Sequence, residues 1–250
     1  MIGSVQKAMK ILSVISEGKN SPVSLASISR DAGINKATCS HIISTLAEEG
    51  FVERISHSSG YVIGPAAFCL SRFGKYRDDF ISVCHPVVRW LHKKTGCAIV
   101  LAVVEGGRKY VIDYIDPENK ILPEVTGITP DDIYRTATGR IIMANMSSRQ
   151  IKGVFDKNGA PPPGHWDKID SLEALENELA VTDGRSVIKT DRFGESPSIG
   201  YAAAVYKLSK CVGAVGVAVD IDDITPPKEA DIKNCILKAR AEIGRRLEYM

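Results

Sequence analysis

Residues 36–42 read KATCSHI, which sets a cysteine, Cys39, and a histidine, His41, two positions apart among small polar residues. Such a pair has the side chains for a metal site or for a thiol nucleophile with its base. Helical spacing separates them. If a helix starts after Asn35, Cys39 falls in line with Ile42, Ile43 and Leu46, and Ser40 and His41 point the other way. His85 and His92 stand two helical turns apart, too far to close on one metal ion. The six cysteines, at 39, 69, 84, 97, 211 and 235, are scattered singly with no C-x-x-C, the pattern of buried reduced thiols. GESPSIG lacks the spacing of a G-x-S-x-G elbow, and GAVGVAVD has two glycines three apart with no helix to follow. No phosphate loop and no H-E-x-x-H helix occur. We expect no catalytic grouping, no metal and no cofactor.

The bounds set by composition agree. The chain has 250 residues, enough for one large domain or two modest ones. No apolar run of about 18 residues is present to cross a bilayer. The opening MIGSVQKAMKILSV carries too many Lys and Ser residues for a secretory core, so a cytoplasmic protein is expected. The net charge is +2, but residues 1–75 carry eight Lys and Arg against five Asp and Glu, and the rest is slightly acidic. That asymmetry favours a nucleic-acid partner for the first segment only weakly.

The elements that would place these residues come in a definite order. Ser4 is expected to cap a helix carrying Val5, Ala8, Leu12 and Ile15. After a turn at residues 20–22, Ser24 caps LASISRDA, which stops at Gly33. Asn35 caps KATCSHIISTLAEE, stopped by Gly50, and FVERISHSSGYVIG reads as a β-hairpin turning at residues 57–60. Apolar residues at Leu25, Ile28, Ala32, Ile34, Cys39 and Ile42, with Gly33 at the corner, fit two helices crossing steeply. This is the order of a winged helix-turn-helix. A connecting helix is expected over 65–76 and a longer one over 79–95, broken or restarted near Pro86. Beyond Gly96, CAIVLAVVEGGRKYVIDYI reads as a hairpin, and helices are expected near 138–146, 148–156 and 171–180. Two apolar strands, SIGYAAAVY and CVGAVGVAVDI, lead to a closing helix over 227–247. Strands mixed with helices in this way make an α+β domain.

With a winged helix leading into an α+β domain, the chain resembles the IclR family of bacterial transcriptional regulators nearly end to end. SVQKAMKILSVIS is similar to that family's opening helix, SLASISRDAGINKATCSHIISTLAEEGFVER to its helix-turn-helix and wing, and YVIGPAAFCL to its exit into a linker helix. YRTATGR stands where the family has H-A-T-A-x-G-K, and GYAAAVY where it has a strand lining the effector pocket. The resemblance implies a winged helix-turn-helix DNA-binding domain over 1–65, a linker helix over 66–78 and a GAF-like α+β effector-binding domain over 79–250. It also implies homodimers or tetramers on a partly palindromic double-stranded operator, and a small-molecule effector.

A recognition helix enters the major groove with its first residues nearest the bases. The exposed face expected here is Lys36, Ala37, Ser40, His41 and Ser44, with Thr38 toward phosphate and Ser24 and Asn35 at the two caps. Arg54 and His57 in the hairpin would reach the flanking backbone or minor groove. The family usually has Arg where His41 stands. At the effector end, Thr136 caps a turn whose amides, at Ala137, Thr138 and Gly139, would favour an anion such as a carboxylate. Opposite it, Gly200, Tyr201, Gly216 and Ala218 would line the pocket, and strand alternation leaves open whether Tyr201 and Tyr206 point in. The small residues there predict a roomy, weakly polar pocket and an aromatic or longer-chain acid. The rival readings are a ligand-modifying enzyme tethered to DNA by its first domain, and a DNA-bound scaffold with no ligand.

Overall fold

The computed structural model describes residues 2–18, 22–55, 60–73, 78–116, 132–192 and 197–249. The chain forms two compact units, Met1–Tyr76 and Arg77–Met250.

The first unit holds α1 (Gly3–Ser16), β1 (Val23–Ser24), α2 (Leu25–Ala32), α3 (Lys36–Glu48), β2 (Val52–Ile55), β3 (Gly60–Ile63) and α4 (Pro65–Phe73). Ile11 and Ile15 of α1, Ile28 and Ala32 of α2, and Cys39 and Ile43 of α3 bury one shared core with Ile34 and Val52. The turn between α2 and α3 is built by Gly33 at φ 65°, a left-handed conformation that costs a residue without Cβ little. Ser29 fastens that turn, donating its hydroxyl to the Ile34 carbonyl at 2.6 Å. β2 and β3 pair antiparallel, and β1 adds a short third strand against β3. Ser4 does not cap α1: Ile2 holds that position without a side-chain hydrogen bond, and Ser4 lies inside the first turn. The expected turn at residues 57–59 lies outside the described residues, as do residues 20 and 21.

The second unit is a five-stranded antiparallel sheet in the order β5-β4-β8-β7-β6. Its elements are α5 (Asp78–Thr95), β4 (Ala98–Glu105), β5 (Arg108–Ile115), α6 (Asp132–Arg135), α7 (Ala137–Met143), α8 (Ser148–Asn158), α9 (Leu172–Val181), β6 (Ile188–Arg192), β7 (Ser198–Lys207), β8 (Lys210–Asp220) and α10 (Pro226–Glu248). α5 runs through Pro86 without a break. Strand alternation divides the sheet. Ile199, Tyr201, Ala203 and Val205 of β7, with Val215, Val217 and Val219 of β8, bury against Val87 and Leu91 of α5 and Ile232, Ile236 and Ile243 of α10. On the other face, Ala202, Ala204 and Ala214 receive Ala137, Ile141 and Ile142 of α7. Alanine on those strands lets a helix lie close, and α7 uses the space.

Candidate functional site

α3 is capped as its sequence requires: the Asn35 side chain accepts the Thr38 N–H at 2.9 Å. Ser24 caps α2 in the same way, accepting from the Ser27 N–H at 3.2 Å. With Cys39 and Ile43 turned into the core, Lys36, Ala37, Ser40, His41 and Ser44 share the exposed face of α3. Thr38 is half-buried, its N–H taken by the cap. Arg54 is exposed on β2, and His57 lies outside the described residues. Cys39 is fully buried, and burial pushes its thiol pKa up, as befits a packed core thiol. Among the described residues no three His, Cys, Asp or Glu side chains form a metal-binding group.

In the second unit, α7 lies over the sheet with its first turn above one end of β7. Thr136 is the N-cap, its hydroxyl accepting the Gly139 N–H at 3.2 Å. Beneath that turn is a cavity of about 40 Å³ lined by Val100, Arg135, Thr136, Ala137, Thr138, Thr190, Ser198, Gly200, Gly216, Val217 and Ala218. Sheet register explains why distant residues meet: Thr190 of β6 pairs with Gly200 of β7, which pairs with Ala218 of β8. Thr136, Thr138, Thr190 and Ser198 are all buried. Four hydroxyls and a guanidinium around one small space make a set of hydrogen-bond donors suited to a carboxylate.

Three expectations for this end are corrected. Tyr201 is not at the cavity. It is fully buried on the opposite face of the sheet, under α10, with Lys189 and Lys233 5.9 and 5.8 Å from its ring. Burial, and then the neighbouring Glu229, raise its pKa. Gly139 does not line the cavity either. Its missing side chain lets α7 meet α6, since a Cβ there would stand 2.2 Å from the Ile133 carbonyl oxygen. The pocket is also not roomy, at about 40 Å³, although most of its lining is apolar as expected. A Cβ on Gly216 would lie 2.7 Å from Thr138 Cγ2, and one on Gly200 3.0 Å from Thr190 Oγ1, so the glycines hold space that threonines already fill.

Thr190 escaped the sequence reading because β6, with its charged IKTDR, carries no apolar alternation, and Ser198 because it opens the otherwise apolar β7. α7 is only seven residues long, so its dipole adds little and the hydroxyls dominate. Arg140, one turn on, is a structural pin. Its Nε donates to the Tyr134 carbonyl at 2.6 Å, its other nitrogen to the His165 carbonyl, and it stacks 4.2 Å above Trp166. Burial lowers its pKa to about 10 against the opposing pull of Glu178, Asp167 and Asp191. Tyr206 lies on the α7 side of the sheet but does not line the cavity, its hydroxyl donating to Asn145 Oδ1 at 2.7 Å.

Residues 4–56 match the model of the IclR helix-turn-helix domain. The similarity continues beyond it: the transcriptional repressor IclR of Escherichia coli is 21% identical over 250 residues, covering 97% of this chain and 89% of its own. The first unit carries an IclR-type helix-turn-helix domain. The relatives matched in this way are named as transcriptional repressors and regulators, among them TtgV of Pseudomonas putida at 24% identity, covering 98% of this chain and 93% of its own. The fold agrees across the whole chain. The crystal structure of the Thermotoga maritima IclR has a TM-score of 0.65 at 22% identity and covers all of both chains. An IclR homologue from Microbacterium hydrocarbonoxydans complexed with 4-hydroxybenzoate has a TM-score of 0.70 at 16% identity, covering 99% of this chain and 100% of its own. Among the described residues no helix is long and apolar enough to cross a membrane.

Proposed function

We propose that this protein is a regulator of the IclR family that reads an operator through the outer face of α3 and is switched by a small organic acid held under α7. The observation that carries the DNA part is the division of α3, with its apolar side chains locked into the three-helix core and Lys36, Ala37, Ser40, His41 and Ser44 left outward together. On that face Lys36 suits a guanine edge or a phosphate, Ala37 a thymine methyl, and His41 a base acceptor. Arg54 on β2 supplies a flanking phosphate contact.

The reading of the effector rests on the cavity. A benzene-sized ligand takes a cavity of roughly 150 Å³, whereas this one measures about 40 Å³. It accepts a carboxylate and the carbons next to it, with oxygens on the Thr138, Thr190 and Ser198 hydroxyls and the Arg135 guanidinium. The relative carrying 4-hydroxybenzoate supports an acid as the ligand class, and the size of the cavity points to one smaller than an aromatic. Effector binding acts by favouring one arrangement of the regulator over another, which needs unequal affinity for the two.

The protein acts as a homodimer in this reading. Ile2, Val5 and Met9 form an exposed apolar stripe at helical spacing along α1, each more than half accessible. A second copy of the chain would cover it and present two α3 helices to a two-fold operator. A thermal-shift series over acetate, glyoxylate, pyruvate and benzoate tests the effector reading. Stabilisation by the two- and three-carbon acids is expected, and it should vanish in Thr190→Val/Ser198→Val. Stabilisation by benzoate alone would overturn it.

A further inference from the structure

Two adjoining hollows, of about 350 and 270 Å³, lie at the opposite end of β7 from the effector cavity, where the β7–β8 turn meets the last turns of α10. They share Tyr206, Ser209 and Arg240; Arg185 completes one, and Leu208, Arg245 and Glu248 line the other. Three arginines face one glutamate there, so the groove is cationic. Arg245 is already tied to Glu242 at 2.9 Å, which leaves Arg185, and the Arg240 nitrogens not given to the Arg185 carbonyl, as the donors open to a ligand.

The segment that carries Arg185 is fixed with unusual thoroughness for a surface arginine. Its N–H donates to Asp183 Oδ1 at 2.9 Å, and its carbonyl accepts from the Arg240 guanidinium. The preceding carbonyl, of Gly184, accepts from Asn145 Nδ2 at 3.0 Å and lies 2.8 Å from the Tyr206 hydroxyl. Asn145 in turn donates to the Ile141 carbonyl of α7 at 2.8 Å. A Cβ at 184 would stand 2.8 Å from Asn145 Nδ2, so any larger residue there would displace the Asn145 side chain. Yet the Arg185 side chain is exposed and has no ion pair among the described residues.

The opposite wall is equally committed. Leu208 and Ser209 form the two-residue tip of the β7–β8 hairpin at φ 47° and 64°. The hairpin twist demands left-handed conformations there, and Asn-Gly supplies them more cheaply than Leu-Ser. The strained tip leaves Leu208 78% exposed beside the hollow.

We propose that this groove is a second ligand site, for a small organic oxyanion. Its carboxylate or phosphate oxygens sit on the Arg185 and Arg240 guanidiniums and the Ser209 hydroxyl, and its apolar body lies between Leu208 and the Tyr206 ring. The fold has already met the cost of ordering the Arg185 backbone, so a ligand there needs little further ordering. The paired guanidiniums suit planar oxyanions better than lysines would.

Titration calorimetry on the full chain, with inorganic phosphate and with benzoate as the two probes, tests the site and separates its two anion classes. Saturable binding of at least one probe is expected, weakened about tenfold in Arg185→Gln. Thr190→Val/Ser198→Val, which alters only the effector cavity, should leave that affinity unchanged. Arg185→Gln removes an exposed side chain and no backbone bond, so an unchanged melting temperature is expected alongside the loss. The proposal is overturned if neither probe saturates, if Arg185→Gln binds as the unaltered chain does, or if the threonine–serine variant abolishes the binding.

Discussion

Gly216→Ala probes the contact on which the effector cavity is built. The added Cβ would lie 2.7 Å from Thr138 Cγ2, 3.2 Å from the Tyr201 carbonyl oxygen and 3.6 Å from Ala202 Cβ. Carbon atoms rest at about 3.5–4.0 Å, so the first contact is short by roughly 0.8 Å. The α7 backbone cannot retreat, because Gly139 already lies against the Ile133 backbone, so the Thr138 methyl must turn out of its place at the cavity wall. Overpacking of this kind costs about 1–3 kcal/mol, a fall in melting temperature of roughly 2–4 °C per kcal/mol for a unit this size. Thr138→Ser removes the offending methyl and keeps the hydroxyl. The pair should therefore couple: Gly216→Ala/Thr138→Ser ought to recover about 1–2 kcal/mol of the loss. Both tryptophans of the chain, Trp90 and Trp166, lie in the second unit, so their fluorescence reports its unfolding without interference from the first. Strictly additive effects, or a Gly216→Ala variant as stable as the parent, would refute the account of how α7 meets the sheet.

Other consequences follow from the same geometry. Lys36→Ala should reduce the salt dependence of operator binding by about one counterion in slope, measured by fluorescence anisotropy across a salt series. Asn35→Ala should cost about 1 kcal/mol of stability in the first unit, read by denaturant unfolding followed by circular dichroism. Val5→Glu/Met9→Glu should shift the sedimentation coefficient to that of a monomer; an unchanged value would remove α1 from the interface. Cys84 offers a pH test. Burial, with Asp113 adding and Arg246 opposing, pushes its thiol from 9.0 up to about 12. A raised folded value means its contribution is complete below pH 9.0 and is lost as the pH climbs toward about 12. Cys84→Ser should flatten the alkaline decline in stability, by up to about 1.4 kcal/mol per pH unit.

Local chemistry made the first unit legible. Ser24, Gly33 and Asn35 are residues with one strong preference each, and they fall at a cap, a left-handed corner and a second cap. Cys39 followed from period alone, and its burial disposes of any partnership with His41 across the helix. The second unit was legible in outline, since its apolar strands are long and its helices well punctuated. Its site was less so. Strand period 2 fixes that Gly200 and Tyr201 face opposite ways, but not which of them faces α7. That is settled by α10 burying the larger side chain and α7 taking the smaller. Glycines were read as open space, yet small residues in a sheet also admit a neighbour, and here Thr138 and Thr190 fill what Gly216 and Gly200 leave. Pro86 was expected to break its helix, but α5 continues through it.

The central claim is that α3 reads DNA and that an acid under α7 governs the reading. The most direct measurement is anisotropy of full-length protein on duplexes drawn from the promoter regions beside its own gene, with and without pyruvate or glyoxylate. The account predicts tight binding to one duplex over random sequence, lost in Lys36→Glu, and an affinity changed by the acid in the parent but not in Thr190→Val/Ser198→Val. Equal affinity for every duplex, or Lys36→Glu binding as the parent does, would contradict it.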